Sequence, residues 1–388
     1  MSAGVLIVGG GLAGQRCAEA LRRGGYEGPV RMICAERHRP YDRPPLSKDV
    51  LLAGGSEEPP SLRPAAWYAD HDVDLRLGVR ATGLHPAART LAVSDGTHLP
   101  YEHLLIATGS RPLTLPGLDA HANVTTLRTV DDAWRLRGAI ARGERLAVVG
   151  AGFIGQEVAA TARTAGAEVT LIEAMPWPLG HLLGPELGRW FADLHRDEGV
   201  RVLLDRRIVA VHGDANVAAL RLDDQSLVEC DHLVVGIGVV PDLAWLDGSG
   251  LDPRGVVVDA RGATAVPGVF AAGDAAAAFD PVLRRHVPGG HWESAARQGA
   301  QAARAMLGGG AAPTPQQSFW SDQYGTRIQQ IGNVGLADAV RIDGDPAARD
   351  FTAIYTRGDR PVAAVLVGRP HALPDVRRLI AEPARAAA

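Results

Sequence analysis

Apolar residues in this chain come in short unbroken runs, each closed by glycine. In "GVLIVGGGLAGQRCAEALRRGG", residues 4–25, the run Val5–Val8 meets a glycine turn, then a stretch of helical spacing that ends at Gly24-Gly25. "PVRMICAE", residues 29–36, is the next apolar run. Four consecutive apolar residues bounded by glycine predict a strand buried on both faces, as in a parallel sheet. Strand, helix and strand make a βαβ unit. The pattern returns at 145–173, "RLAVVGAGFIGQEVAATARTAGAEVTLIE", with strand, turn, helix, glycine and strand in the same order. This is a duplicated architecture with long spacing, not a short solenoid repeat.

Three further runs end at glycines: "YEHLLIATGSRP" (101–112), "DHLVVGIGVVPD" (231–242) and "VPGVFAAGDAA" (266–276). "LGGGAAPTPQQ", residues 307–317, reads as a linker. "FTAIYTRGDRPVAAVLVG" (351–368) predicts two strands joined by a turn, hence an α+β tail. "AMPWPLGHLLGPEL", with Trp177 and His181, predicts a loop packed on the second unit.

A chain of 388 residues is long enough for two or three domains. A net charge of −4 gives no electrostatic case for nucleic acid or an anionic membrane. No apolar run reaches the roughly 18 residues of a membrane helix, and the N-terminus lacks the basic start and cleavage site of a signal peptide. Cys17, Cys34 and Cys230 lie far apart, with no metal spacing and no disulfide framework, so a cytoplasmic, reducing compartment fits and no metal site is expected. Of 40 basic residues 39 are arginine, and the single lysine is Lys48 in "RPPLSKDVL". Lysine carries a compact charge on a flexible stem, arginine a wide planar fork; Lys48 is either a chance survivor or a position that arginine cannot fill.

The glycine turns carry the first chemistry. Gly9, Gly11 and Gly14 form G-x-G-x-x-G between strand and helix, with Leu12 and Ala13 opening the helix. The first glycine allows the tight turn, the second lets backbone approach a pyrophosphate, and the third lets helix and strand pack closely. The phosphates then meet the positive helix end. Glu36, 22 residues after Gly14, is placed to accept from ribose hydroxyls, with Arg37 beside it. Gly150, Gly152 and Gly155, with Phe153 and Ile154, repeat the turn, and Glu173 follows 18 residues on. A carboxylate there repels a 2′-phosphate and favours NADH over NADPH. Two different dinucleotide sites suggest hydride transfer between nicotinamide and flavin.

In order, the motifs "VGGGLAG", "RPPLSK", "LLIATGSRP", "VVGAGFIGQEVAA", "GIGVVPD", "FAAGDAA" and "FWSDQY" resemble the FAD- and NADH-dependent ferredoxin reductases of oxygenase systems, the putidaredoxin, rubredoxin and aromatic-ring dioxygenase reductases. The resemblance spans residues 8–324. It implies an α/β fold with two Rossmann-like dinucleotide-binding domains in a glutathione-reductase-like architecture, plus an α+β C-terminal domain. The expected boundaries are 1–113 with 243–312 for FAD, 114–242 for NAD, and 313–388 for the tail. It implies Lys48 near flavin N5 with Glu157 as its partner, and Arg43 and Pro44 beside them. Ala107, Thr108, Gly109, Arg111, Arg128 and Ala81 match cofactor-lining positions, as do Gly238 and Gly273. Asp274 matches a ribityl contact, or else a helix N-cap. Trp292 and Trp320 match aromatics near the flavin. The implied partner is a small [2Fe-2S]-type or related ferredoxin feeding an oxygenase, and Arg327 is a candidate rim residue for it. Relatives usually carry a longer tail, so monomer and homodimer both stay open. Alternatives are a disulfide reductase or NADH oxidase, and a redox-sensing scaffold like apoptosis-inducing factor. The first needs a cysteine beside the flavin, and the stretch from Tyr41 to Lys48 has none.

Overall fold

The computed structural model describes residues 3–52, 54–118, 121–280, 284–312 and 316–381. They form two compact units, one drawn from Met1–Asp42, Glu57–Arg111 and Val239–Pro315, the other from Arg43–Ser56, Pro112–Gly238 and Gln316–Ala388.

The first unit is built on parallel strands in the order Val73–Leu77, Val30–Cys34, Gly4–Val8 and His98–Ile106, with Val269–Ala271 also pairing parallel to the last. Val5, Leu6, Ile7 and Val8 are all buried, the two-sided burial that an unbroken apolar run predicts. His98–Ile106 is long enough to serve twice: its first residues pair antiparallel with Thr90–Val93 and its last lie in the parallel core. The helix Leu12–Arg23 ends where expected. The Gly25 N–H donates to the Arg22 carbonyl and the Tyr26 N–H to the Leu21 carbonyl, with Gly25 at φ 81°. A second helix, Trp292–Met306, crosses it at Gly299, where a Cβ would stand 2.0 Å from the Ala13 carbonyl oxygen. Only glycine permits that approach.

The second unit holds a wholly parallel sheet, Arg201–Leu203, Val169–Ile172, Leu146–Val149, His232–Val235 and Val124–Thr126 in that order. It also holds an antiparallel sheet ordered Ser318–Gln323, Thr326–Gly332, Arg360–Val367, Asp350–Arg357 and Ala339–Asp345, with the helix Leu373–Ala381. The predicted hairpin of the tail is thus present, within a larger sheet. The expected loop at 174–187 is a loop only as far as Leu179. From Gly180 a helix runs to Asp197, kinked at Gly184, whose φ of 81° is non-helical. Pro185 disguised it: proline breaks a helix interior but suits the first turn of a new segment. Leu183, Leu187, Phe191 and Leu194 on this helix pack against Ile328, Phe351 and Tyr355 of the antiparallel sheet. Residues 313–315 of the expected linker lie outside the described residues.

Candidate functional site

The two glycine turns have the same anatomy. A Cβ on Gly9 would sit 2.1 Å from the Ala107 carbonyl oxygen, and one on Gly14 2.1 Å from that of Gly9. A Cβ on Gly11 would meet nothing within 4 Å. In the second turn a Cβ on Gly150 would lie 2.4 Å from the Gly236 oxygen and one on Gly155 2.0 Å from that of Gly150, while at Gly152 the space is again open. Outer glycines pack the turn on its own sheet; the middle one faces open space at a helix N-terminus, where backbone can approach a pyrophosphate. Both turns therefore fit a dinucleotide.

The acids that follow lie just past their strands. Glu36, two residues beyond Cys34, accepts from the Tyr41 hydroxyl at 2.5 Å. Glu173 is fixed by backbone: Oε2 accepts from the Ala151 N–H at 2.7 Å and Oε1 from the Met175 N–H at 2.8 Å. The carboxylate beside the second turn is thus held in one orientation by backbone donors.

Of the other expected residues of the first unit, Ala107 and Gly273 reach the turn and the helix start behind it. Ala107 abuts Gly9, and Thr108 Oγ1 donates to the Asp242 carbonyl at 2.8 Å. Gly109 accepts from the Asp242 N–H through its carbonyl. Gly273, at φ 72°, donates its N–H to Gln298 Oε1 at 2.8 Å, and a Cβ there would press on Ala13. Asp274 is not a helix N-cap. It lies inside the short 3₁₀ turn Gly273–Ala275, whose N-cap is Ala272, and accepts from Ser110 Oγ at 2.7 Å. Trp292 opens its helix and donates from Nε1 to Asp42 at 2.7 Å. Ala81 is buried at a strand start, while Arg37 and Arg111 are exposed. Tyr41, Asp42 and Ser110 were not singled out in sequence; their neighbours in the motifs were the available signal.

Arg43, Pro44, Lys48, Arg128, Glu157 and Trp320 belong to the second unit, with Gly238, whose φ is 114°. Arg43 donates from Nη1 to the Arg128 carbonyl. Lys48 Nζ donates to Glu157 Oε2 at 2.6 Å and to the Pro44 carbonyl at 3.1 Å. Glu157 is 6% exposed and takes two more donors: Ser47 Oγ to Oε2 at 2.5 Å and Ser321 Oγ to Oε1 at 2.7 Å. One turn further along the same helix, Thr161 Oγ1 donates to the Ser47 carbonyl at 2.8 Å. Neither serine was singled out in sequence, although each adjoins a residue that was. Strand alternation sets Trp320 and Ser321 on opposite faces of Ser318–Gln323. Phe319, on the Ser321 side, meets the Phe153 ring edge-on at 4.5 Å. On the other side Arg327 lies 5.2 Å over the Trp320 ring and grips both oxygens of Asp322, at 2.9 and 2.8 Å. Arg327 is therefore a paired cation that backs the indole, with 41% of its side chain still exposed. Ile154, beside Phe153, is exposed.

All three cysteines are buried. Burial raises the Cys17 thiol, pushes Cys34 up to about 12, aided by Glu36, and Cys230 up to about 11. None is a thiolate nucleophile at neutral pH. Among the described residues no cluster of His, Cys, Asp and Glu is placed to hold a metal, and no helix is long and apolar enough to cross a membrane.

Residues 3–302 match the family described as pyridine nucleotide-disulphide oxidoreductase, and residues 318–388 match the reductase C-terminal family. The chain is 41% identical over 379 residues to the ferredoxin–NAD(+) reductase component of the anthranilate 1,2-dioxygenase system of Burkholderia cepacia, covering 97% of this chain and 93% of that one. It is 35% identical to the 3-phenylpropionate/cinnamic acid dioxygenase ferredoxin–NAD(+) reductase component of Photorhabdus laumondii, covering 98% and 96%. Its fold matches a chain of the covalent putidaredoxin reductase–putidaredoxin complex with a TM-score of 0.93 at 31% identity, over 98% of this chain and 93% of that one.

Proposed function

Because the chain belongs to the pyridine nucleotide-disulphide oxidoreductase family, we propose that it takes electrons from NADH, passes them through FAD and delivers them to a small iron–sulfur protein that feeds an oxygenase. It is an oxidoreductase of the ferredoxin–NAD(+) reductase kind. The observation that carries the reading is the pair of glycine turns, each with an open middle position and a carboxylate beyond the next strand. Bound FAD would supply a centre that accepts a hydride and releases electrons singly.

The chain's own residues bind and orient. In the first unit the Gly11 turn would take the FAD pyrophosphate and Glu36 a ribose. In the second the Gly152 turn would take NADH, and Glu173 would accept from the adenosine ribose and repel a 2′-phosphate. Lys48 would meet the negative charge that arrives on the flavin, with Glu157 holding the ammonium in one place. No acid–base residue is required for the hydride step, and positioning is the main requirement. The proposed domains are 1–113 with 243–312, 114–242 and 313–388, in a cytoplasmic monomer or homodimer. The buried thiols weigh against dithiol chemistry.

The test is NADH-driven cytochrome c reduction with and without an added [2Fe-2S] ferredoxin, on protein whose released flavin is first identified. FAD and a ferredoxin-dependent rate are expected. Release of FMN, turnover of a disulfide without ferredoxin, or a long-lived reduced complex that reduces nothing would refute the proposal.

A further inference from the structure

We infer that Ser321 is a positioning residue for Lys48, acting through Glu157, an inference that rests on the proposed role of Lys48 at the flavin. A carboxylate held at one oxygen can swing about that contact; held at both, it has one orientation. Ser321 Oγ takes Oε1 and leaves Oε2 for Lys48 and Ser47. The serine is itself directed. Gln323 Nε2 donates to Ser321 Oγ at 3.2 Å, which leaves the hydroxyl's only proton for Glu157. Ser321 is fully buried and Gln323 nearly so, which keeps water from replacing either group. The helix supports the arrangement from the other side, because Thr161 fixes the backbone at Ser47 next to the lysine.

Without the Ser321 hydroxyl, Oε1 is a buried carboxylate oxygen with no donor. The group then turns toward its remaining donors and the ammonium follows it. Part of the lost charge-assisted hydrogen bond appears as misplacement of Lys48.

The experiment uses the FAD-loaded enzyme and the variants Ser321→Ala, Ser321→Thr and Gln323→Leu, each alone and with Lys48→Met. Stopped-flow flavin reduction by NADH should slow roughly three- to tenfold in Ser321→Ala. FAD content and KM for NADH should not change, and Ser321→Thr should restore most of the rate. Gln323→Leu should act in the same direction with smaller size. In the Lys48→Met background Ser321→Ala should cost less than about twofold in rate. The thermal stability of the FAD-free protein should behave oppositely. Without the ammonium, Glu157 depends more on Ser321, so the Ser321→Ala loss in Tm should grow in the Lys48→Met background. An unchanged rate in both Ser321→Ala and Gln323→Leu, or an equal fold-loss with and without Lys48, overturns the inference. If NADH fails to reduce the wild-type flavin at all, it is the proposed function that falls.

Discussion

Replacing the only lysine with the chain's preferred cation, Lys48→Arg, keeps the charge and changes its shape. Nζ sits between two acceptors, Glu157 Oε2 at 2.6 Å and the Pro44 carbonyl at 3.1 Å, and only 17% of the side chain is exposed. A guanidinium brings five donors into a place with two acceptors. Each buried donor left unpaired costs about 1–3 kcal/mol, and forcing the wider group in costs a similar amount. A net loss of about 2–3 kcal/mol follows, since part of the fork can reach solvent. Shared about equally between stability and placement, at 1.4 kcal/mol per factor of ten, it predicts flavin reduction by NADH slowed roughly 5- to 12-fold. Lys48→Met separates charge from shape and should be slower still. Stopped-flow reduction and urea melts are the assays. A Lys48→Arg enzyme that reduces and melts like wild type would show that the position needs only a positive charge.

The middle glycines separate binding from folding: Gly11→Ala should leave the apoprotein's melting temperature nearly intact and sharply weaken FAD retention, because a Cβ there meets no protein atom within 4 Å, whereas Gly14→Val should fail to fold. Glu173→Ala should raise the NADPH-to-NADH ratio of kcat/KM at least about tenfold, checked by steady-state kinetics, and an unchanged ratio would remove Glu173 from ribose recognition. Burial lowers the His195 imidazole from 6.5 to about 4. The unfolded chain therefore gains a proton before the folded one does, so this contribution is full above pH 6.5 and is lost as pH falls toward 4. It amounts to roughly 3 kcal/mol. His195→Gln should flatten that limb of a Tm–pH curve, and an unflattened limb would assign it to other groups.

The glycine turns were legible because strand, glycine and helix are encoded within one continuous stretch. Val5–Val8 and Leu146–Val149 carry an apolar signal that needs no partner to be read. The antiparallel sheet was half hidden for the opposite reason. The residues that Ser318–Gln323 buries are the polar Ser318, Ser321 and Gln323, and Ala339–Asp345 buries none, so neither shows the apolar alternation of a one-faced strand. At the site, Lys48 stood out by its rarity, and the resemblance supplied Glu157. Ser47 and Ser321 had no such mark. A hydroxyl leaves no periodic trace, and the contacts of Glu157 with them span 110 and 164 positions. The break at Gly184 shows a local rule obeyed: the glycine, at a non-helical φ of 81°, ends one helical segment and Pro185 opens the next, while four buried apolar side chains on the two segments share one core.

Gln156 and Glu157 are neighbours on one helix, yet they serve two different chains of contacts. Glu157 meets Ser321, while Gln156 bridges the Ala151 carbonyl in the second glycine turn and His195, whose other ring nitrogen meets the Tyr324 hydroxyl at 2.7 Å. The C-terminal sheet is thus keyed to two adjacent side chains more than 160 positions upstream. For anyone recombining reductases to change their partners, the practical unit of exchange is not the terminal segment alone. A graft that begins at residue 316 has to carry residues 156, 157 and 195 with it, or arrive with matching side chains already at 321 and 324.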